Sequence, residues 1–248
     1  MADYKFPTEM VELPSKGYFY MDGHPLSKGK VEVKYMTARE EDILTSQNLI
    51  KQGTVIDVLL QSLIVDKSIK IDDLLVGDKN AIMIAARILG YGKDYQFEYD
   101  GVEKKIDLST LEPKKLDFDA IEKGTNEFLF ELPNSKRKVT FKILNAKDEK
   151  EIELELEARK KLSKEYSSEL TTRLKRIIKS VDGNAKPQHI FNFIDSEFLS
   201  IDSLAFRNHM ASITPDVDMN TTILDSSGKE TTVMIPITVR FFWPTRWV

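Results

Sequence analysis

Three histidines, His24, His189 and His209, are the side chains best suited to acid–base or metal chemistry. A neutral imidazole can take up a proton or bind a metal near neutral pH. No two of them have metal-ligand spacing, and His-Glu-x-x-His is absent. There is no Gly-x-Ser-x-Gly elbow and no glycine-rich phosphate loop. Gly90-Tyr91-Gly92-Lys93 is too short for such a loop and follows a helix, so it reads as a turn. Carboxylates are plentiful, but abundance does not pair them at one site. His189 and His209 fall on predicted amphipathic helices, where packing or exposure is their ordinary fate. The residues therefore predict no catalytic group, no metal ligand, no cofactor and no small-molecule substrate. A hydrolase using His189 or His209 is the rival reading.

Contact is the other chemistry on offer. Both tryptophans, Trp243 and Trp247, straddle Pro244 within the last six residues. Clustered aromatics either plug a protein's own core or anchor in a partner. Phe241 and Phe242 continue a predicted strand and are expected to pack on the chain itself. Trp243 and Trp247 are expected to engage a partner. Arg173, Lys175, Arg176 and Lys179 would suit a nucleic-acid adaptor, but a net charge of −4 argues against one.

These residues need elements to position them. A short strand, Val31–Tyr35, leads into a helical cluster. Thr37 followed by Glu40 is a capping box, and Glu40, Glu41 and Asp42 favour the helix dipole. That helix should stop at Gly53. Thr54 with Asp57 should cap a second, through Val55, Leu59 and Leu63. Asp78 should cap a third, Ala81–Leu89, ended by Gly90 and apolar on nearly every side. Before this cluster, Glu12–Tyr20 combines a turn with a strand-like aromatic triplet. It reads as an edge strand on the core or as an arm to a neighbouring subunit.

After the cluster, Tyr95–Tyr99, Asp100-Gly101 and Val102–Leu108 form a hairpin pattern, the turn requiring positive φ at both residues. Strands are expected at Glu127–Leu132 and Arg137–Leu144. Lys147–Val181 reads as one long charged helix, about 50 Å long at about 1.5 Å per residue. Its apolar positions recur every fourth residue, and the stripe Leu162, Tyr166, Leu170, Leu174 is expected to dock a partner or a second copy. Short helices at Gln188–Ile194 and Ser200–Ile213 and a final hairpin, Thr221–Leu224 with Thr231–Phe242, complete the chain.

The fold class is therefore α+β: an N-terminal helical cluster with short strands and β-hairpins, a long charged helix and a C-terminal β-hairpin. The expected division is residues 1–145 and 146–248, or one continuous domain. The chain has 248 residues, 41% of them hydrophobic, enough for a sizeable core. It contains no cysteine, which excludes disulfides and fits a reducing cytoplasm. No signal-peptide pattern and no membrane-spanning run is read.

Several separated motifs resemble the baseplate hub proteins of T4-type contractile-tailed phages. They are Leu13-Pro14-Ser15-Lys16-Gly17-Tyr18-Phe19-Tyr20, Met36–Leu44, Asn48–Gly53, Leu75–Asn80, Ala85–Gly92 and Phe241-Phe242-Trp243-Pro244. They occur in the expected order from near residue 10 to the end. The resemblance implies a role in building the baseplate hub through contacts with other hub or tail proteins. The chain would act in the host cytoplasm during assembly, as an assembly factor or as a virion part. Neither nucleic acid nor membrane is an implied partner; a homo-oligomer is an open alternative. Family members often carry Cys-x-x-Cys pairs around the hairpin corresponding to Tyr95–Leu108. This chain has Asp100-Gly101 there, so strand pairing alone must hold that hairpin.

Overall fold

The computed structural model describes residues 7–162, 168–224, 228–237 and 239–242. It is an α+β fold of helices around small antiparallel sheets. Strand β1 (Thr8–Glu12) pairs with β2 (Lys30–Lys34), Val11 facing Val31. The triplet Tyr18-Phe19-Tyr20 is not a strand. The backbone turns at Lys16 and Gly17, both at positive φ, and a Cβ on Gly17 would lie 2.4 Å from the Ser27 carbonyl oxygen. The turn sends Phe19 and Tyr20 into the core instead of along a ladder.

Helix α1 (Ala38–Thr45) starts at the expected capping box. The Glu40 carboxylate accepts the Thr37 N–H at 2.9 Å and the Thr37 hydroxyl at 2.6 Å. Lys34 Nζ completes the group at 2.8 Å. Burial opposes ionisation of Glu40, but the bonds from Lys34 and Thr37 outweigh it and hold the carboxyl at about 2. The helix does not run on to Gly53. Ser46 is extended, and α2 (Gln47–Lys51) is a separate turn of helix. Helix α3 (Val55–Leu63) follows Thr54, whose side chain makes no cap bond. Asp57 is drawn instead to Lys79, 2.5 Å away.

Helix α4 (Val76–Tyr91) starts earlier than expected, and Ala81, Ile82, Met83 and Ile84 are all buried. Gly90 lies inside it rather than ending it; the chain leaves the helix at Gly92, φ 81°. Asp78 is not the cap. It sits in the first turn, turned inward, because three buried donors claim it: the Ser15 N–H at 3.0 Å, the Ser15 hydroxyl at 2.7 Å and the Tyr20 hydroxyl at 2.6 Å. A Cβ on Gly77 would lie 2.0 Å from the Pro215 carbonyl oxygen, so only glycine admits that strand of backbone against α4.

The hairpin of β3 (Asp94–Tyr99) and β4 (Val102–Asp107) turns at Asp100 and Gly101, with φ 52° and 73°, as its sequence requires. A three-stranded sheet runs in the order β5 (Phe128–Glu131), β6 (Lys138–Phe141), β7 (Ile178–Val181), antiparallel throughout. It joins residues on both sides of position 145, and the buried apolar side chains form one cluster.

The long helix Lys147–Val181 does not exist as such. Helix α5 (Ala146–Leu162) and helix α6 (Glu169–Ile177) are separate, and Ile178–Val181 is the strand β7. Glu149 bonds Arg173, Glu151 bonds Arg176 and Arg159 reaches Ser168. A straight helix would hold Glu149 and Arg173 about 36 Å apart at about 1.5 Å per residue. The contacts instead pair early residues of α5 with late residues of α6, so the two run antiparallel. Ion pairing along this hairpin and pairing of β7 with β6 outweigh the helical propensity of the stretch.

Helix α7 (Pro187–Asn192) is followed by α8 (Ser200–Ile213), which has the expected limits. Asp202 of α8 accepts the N–H groups of Asn134 and Ser135 at 2.8 and 3.0 Å, fastening α8 to the β5–β6 turn. The last hairpin pairs β8 (Asn220–Leu224) with β9 (Glu230–Met234). Its second strand stops at Met234 rather than Phe242, because Pro236 has no N–H to give a ladder. Val239–Phe242 is a 3-10 turn, and Phe241 and Phe242 are 0% exposed.

Candidate functional site

A groove of about 810 Å³ lies between α5 on one side and the α2–α3 corner with α4 on the other. Its position follows from one backbone junction. The Ala146 N–H donates to the Leu74 carbonyl at 2.8 Å, and the Val76 N–H to the Leu144 carbonyl at 3.3 Å. Helices α4 and α5 therefore leave from the same point. Asn145 and Asp148 cap α5 reciprocally: Asn145 Oδ1 accepts the Asp148 N–H at 2.9 Å, and Asp148 accepts the Asn145 N–H at 3.2 Å. Lys142 Nζ lies 2.7 Å from both oxygens of Asp148.

The groove's floor is apolar and only half covered: Ile50, Ile56, Val76 and Ile237 pack against the core at its margin. Leu154 of α5 stands over it, 60% exposed. Glu149, Glu153 and Glu157 form a ladder along the α5 wall, one per helical turn. Glu149 is neutralised by Arg173, at 2.7 and 2.9 Å. Among the described residues Glu153 and Glu157 have no ion-pair partner. An open, half-apolar, charged groove of this kind suits a protein segment better than a small molecule, which would be enclosed on most sides.

The residues expected to bind a partner are placed differently. Leu174 is 3% exposed and belongs to the chain's own core, because the strand after it turns α6 inward, while Leu170 is 46% exposed. Leu162 ends α5. Tyr166, Trp243 and Trp247 lie outside the described residues. The stripe is thus not one docking face: Leu170 and Leu174 diverge between surface and core.

Two of the histidines make structural contacts. His24 Nδ1 accepts the Leu26 N–H at 3.2 Å and caps the 3-10 turn Pro25–Lys28. His209 stacks on Phe130 at 4.6 Å and meets Phe141 edge-on, and burial lowers its pKa. His189 is half-buried on α7 beside Asp182. No described hydrogen bond or ring contact joins His189 to His209. Among the described residues no three acidic or histidine side chains form a group that could hold a metal ion. Of the four cations weighed for nucleic acid, Arg173, Lys175 and Arg176 are engaged by Glu149, Asp195 and Glu151. No helix among the described residues is long and apolar enough to cross a membrane.

Sequence reasoning passed over the groove, whose lining comes from five helices, α2 to α6, brought together only by folding. The one local signal was the Glu149, Glu153, Glu157 repeat, which reads equally well as a solvated face. Comparison with protein-family models, with curated proteins and with solved structures finds no match for the chain.

Proposed function

We propose that this chain is a non-catalytic protein of a contractile-tail phage baseplate hub and acts in hub or tail assembly through protein–protein contacts. One observation carries the reading beyond the motifs themselves: the separated motifs that resemble the hub family bond to one another. Ser15 and Tyr20 of the first meet Asp78 of the fourth. Met36 of the second lies over Gly90 of the fifth, and Arg87 there holds the Phe241 carbonyl at 2.8 Å. The third, Asn48–Gly53, forms one rim of the groove. These contacts support reading the motifs together as parts of one packed body. Its exposed chemistry is a charged, half-apolar groove, which favours contact over catalysis.

The test is co-expression of the tagged chain with each baseplate hub and tail protein of a contractile-tailed phage, followed by size-exclusion chromatography. A stoichiometric complex with a hub protein is expected. Binding to none of them, together with normal baseplates from a phage lacking the chain, would overturn the proposal. Mass spectrometry of purified virions beside an infected-cell lysate then separates a virion part from an assembly factor.

A further inference from the structure

The chain contains no cysteine, so its eight methionines are its only sulfur. Their settings differ. Met10, Met21 and Met234 are exposed, and Met83 and Met219 are buried. Met36 and Met210 fall between, half-buried and packed against the core. What sets Met36 apart is the backbone it rests on. Gly90 lies in the last turn of α4, and a Cβ there would collide with the Met36 methyl and lie 3.4 Å from its sulfur. Gly90 is not among the residues at positive φ, so its backbone alone does not call for glycine. Glycine is a poor helix former, and the room it leaves is filled by Met36. The thioether thus pins the corner between β2 and α1 to the end of α4. Next to it, the Tyr91 hydroxyl donates to Glu41 of α1 at 3.3 Å across the same seam.

We propose that Met36 is an oxidation-sensitive joint, opened by peroxide and closed again by methionine sulfoxide reductases. A lone pair of the sulfur attacks one oxygen of hydrogen peroxide, the O–O bond breaks, and water leaves. The sulfur is oxidised to the sulfoxide and the peroxide is reduced to water. The thioether is apolar and slender, whereas the sulfoxide is polar and wider at sulfur. The notch admits no further atom, since a single carbon on Gly90 would already overlap the methyl. Hydrating the new oxygen therefore draws the side chain out of the notch and loosens the α1–α4 seam. The same oxidation at Met10, Met21 or Met234 alters an exposed side chain and leaves the packing alone. The inference concerns the chain by itself and stands apart from the hub assignment.

The test is a graded treatment of the full chain with hydrogen peroxide, read by peptide mass spectrometry at each methionine and by thermal melts. The melting temperature should fall in step with Met36 sulfoxide, by about 4 °C or more at full oxidation. Incubation with both reductases, one for each sulfoxide epimer, should restore it. Met36→Leu is close in volume and carries no sulfur. The same treatment should leave its melting temperature unchanged. Gly90→Ala tests the notch without oxidant. It should melt below the parent chain although alanine is the better helix former, and its Met36 should oxidise several-fold faster. Full Met36 sulfoxide with an unchanged melting temperature would overturn the proposal. So would a Met36 that stays unoxidised until the chain unfolds, or an equal loss in Met36→Leu. A Gly90→Ala chain that melts higher, with Met36 no more reactive, would overturn it as well.

Discussion

Arg87 Nε donates a 2.8 Å hydrogen bond to the carbonyl of Phe241, across 154 residues of chain. Its other nitrogens reach the carbonyls of Gly92 at 2.7 Å and Asp94 at 3.0 Å. The residue is 2% exposed, and no carboxylate answers its charge in these bonds. Three backbone oxygens satisfy the fork instead. The first expectation follows: Arg87→Met removes donors from three acceptors at once and should lower unfolding free energy by about 3 kcal/mol. Phe241→Ala keeps the backbone carbonyl, so its cost, about 3–5 kcal/mol, comes from the cavity left by the ring. Urea denaturation midpoints measure both, and an unchanged midpoint in either would refute this packing.

Glu40 gives a pH dependence of definite sign. Its carboxyl is held at about 2, against 4.5 for an ordinary glutamate. The native state therefore binds the proton less readily than the unfolded chain. The stabilisation is full above about 4.5 and is lost as pH falls through about 2. Glu40→Gln should cost about 2 kcal/mol at neutral pH, typical of bonds to a charged group. The difference from the parent chain should shrink in acid; a constant difference in thermal melts at each pH would contradict it.

Asp78 should behave in the opposite sense. Burial raises its carboxyl above the ordinary value, against the bonds from Tyr20 and Ser15, and Asp216 adds to the rise. Its contribution is full below the ordinary aspartate value and is lost as pH rises through the raised native value. Asp78→Asn should therefore cost more near pH 4 than near neutrality. Asp78→Ala, which strands the Ser15 and Tyr20 donors, should cost about 3 kcal/mol or more. Paired denaturation curves at the two pH values decide the sign.

Thr172 offers a gain. Its hydroxyl is buried with no hydrogen-bond partner among the described residues, so it carries a desolvation cost without return. Thr172→Val keeps the shape and removes the orphan group. A rise in stability of about 1 kcal/mol is expected from calorimetry, and a loss would mean that the hydroxyl is bonded in solution.

Local chemistry made parts of this fold legible in the sequence. Asp100-Gly101 specifies a turn with two positive φ angles, and Thr37 with Glu40 specifies a helix start; both act within four residues. Ser200–Ile213 was readable because Pro215 bars continuation. The misreadings share a cause in distant partners. Ile178 fits the helical stripe as well as a strand, and only pairing with β6 decides between them. Asp78 has the type and place of a cap until Ser15 and Tyr20 claim it. Thr231–Phe242 has the look of one strand, but Pro236 ends it at Met234. The groove was invisible for the same reason: Ile50, Met83, Glu153 and Ile237 meet only in the folded chain.

The bond from Arg87 to Phe241 also sets an order of events during synthesis. Helix α4 leaves the ribosome long before the residues that plug its far side. Until Phe241 and Phe242 emerge, the Arg87 fork lacks one of its three oxygens and the core beside Tyr95 stays open. A chain cut before Phe241 would therefore leave the apolar surface beside Tyr95 uncovered. Released chains cut before Phe241 should be far more sensitive to protease than the full chain, with the Val239–Phe242 turn acting as the latch.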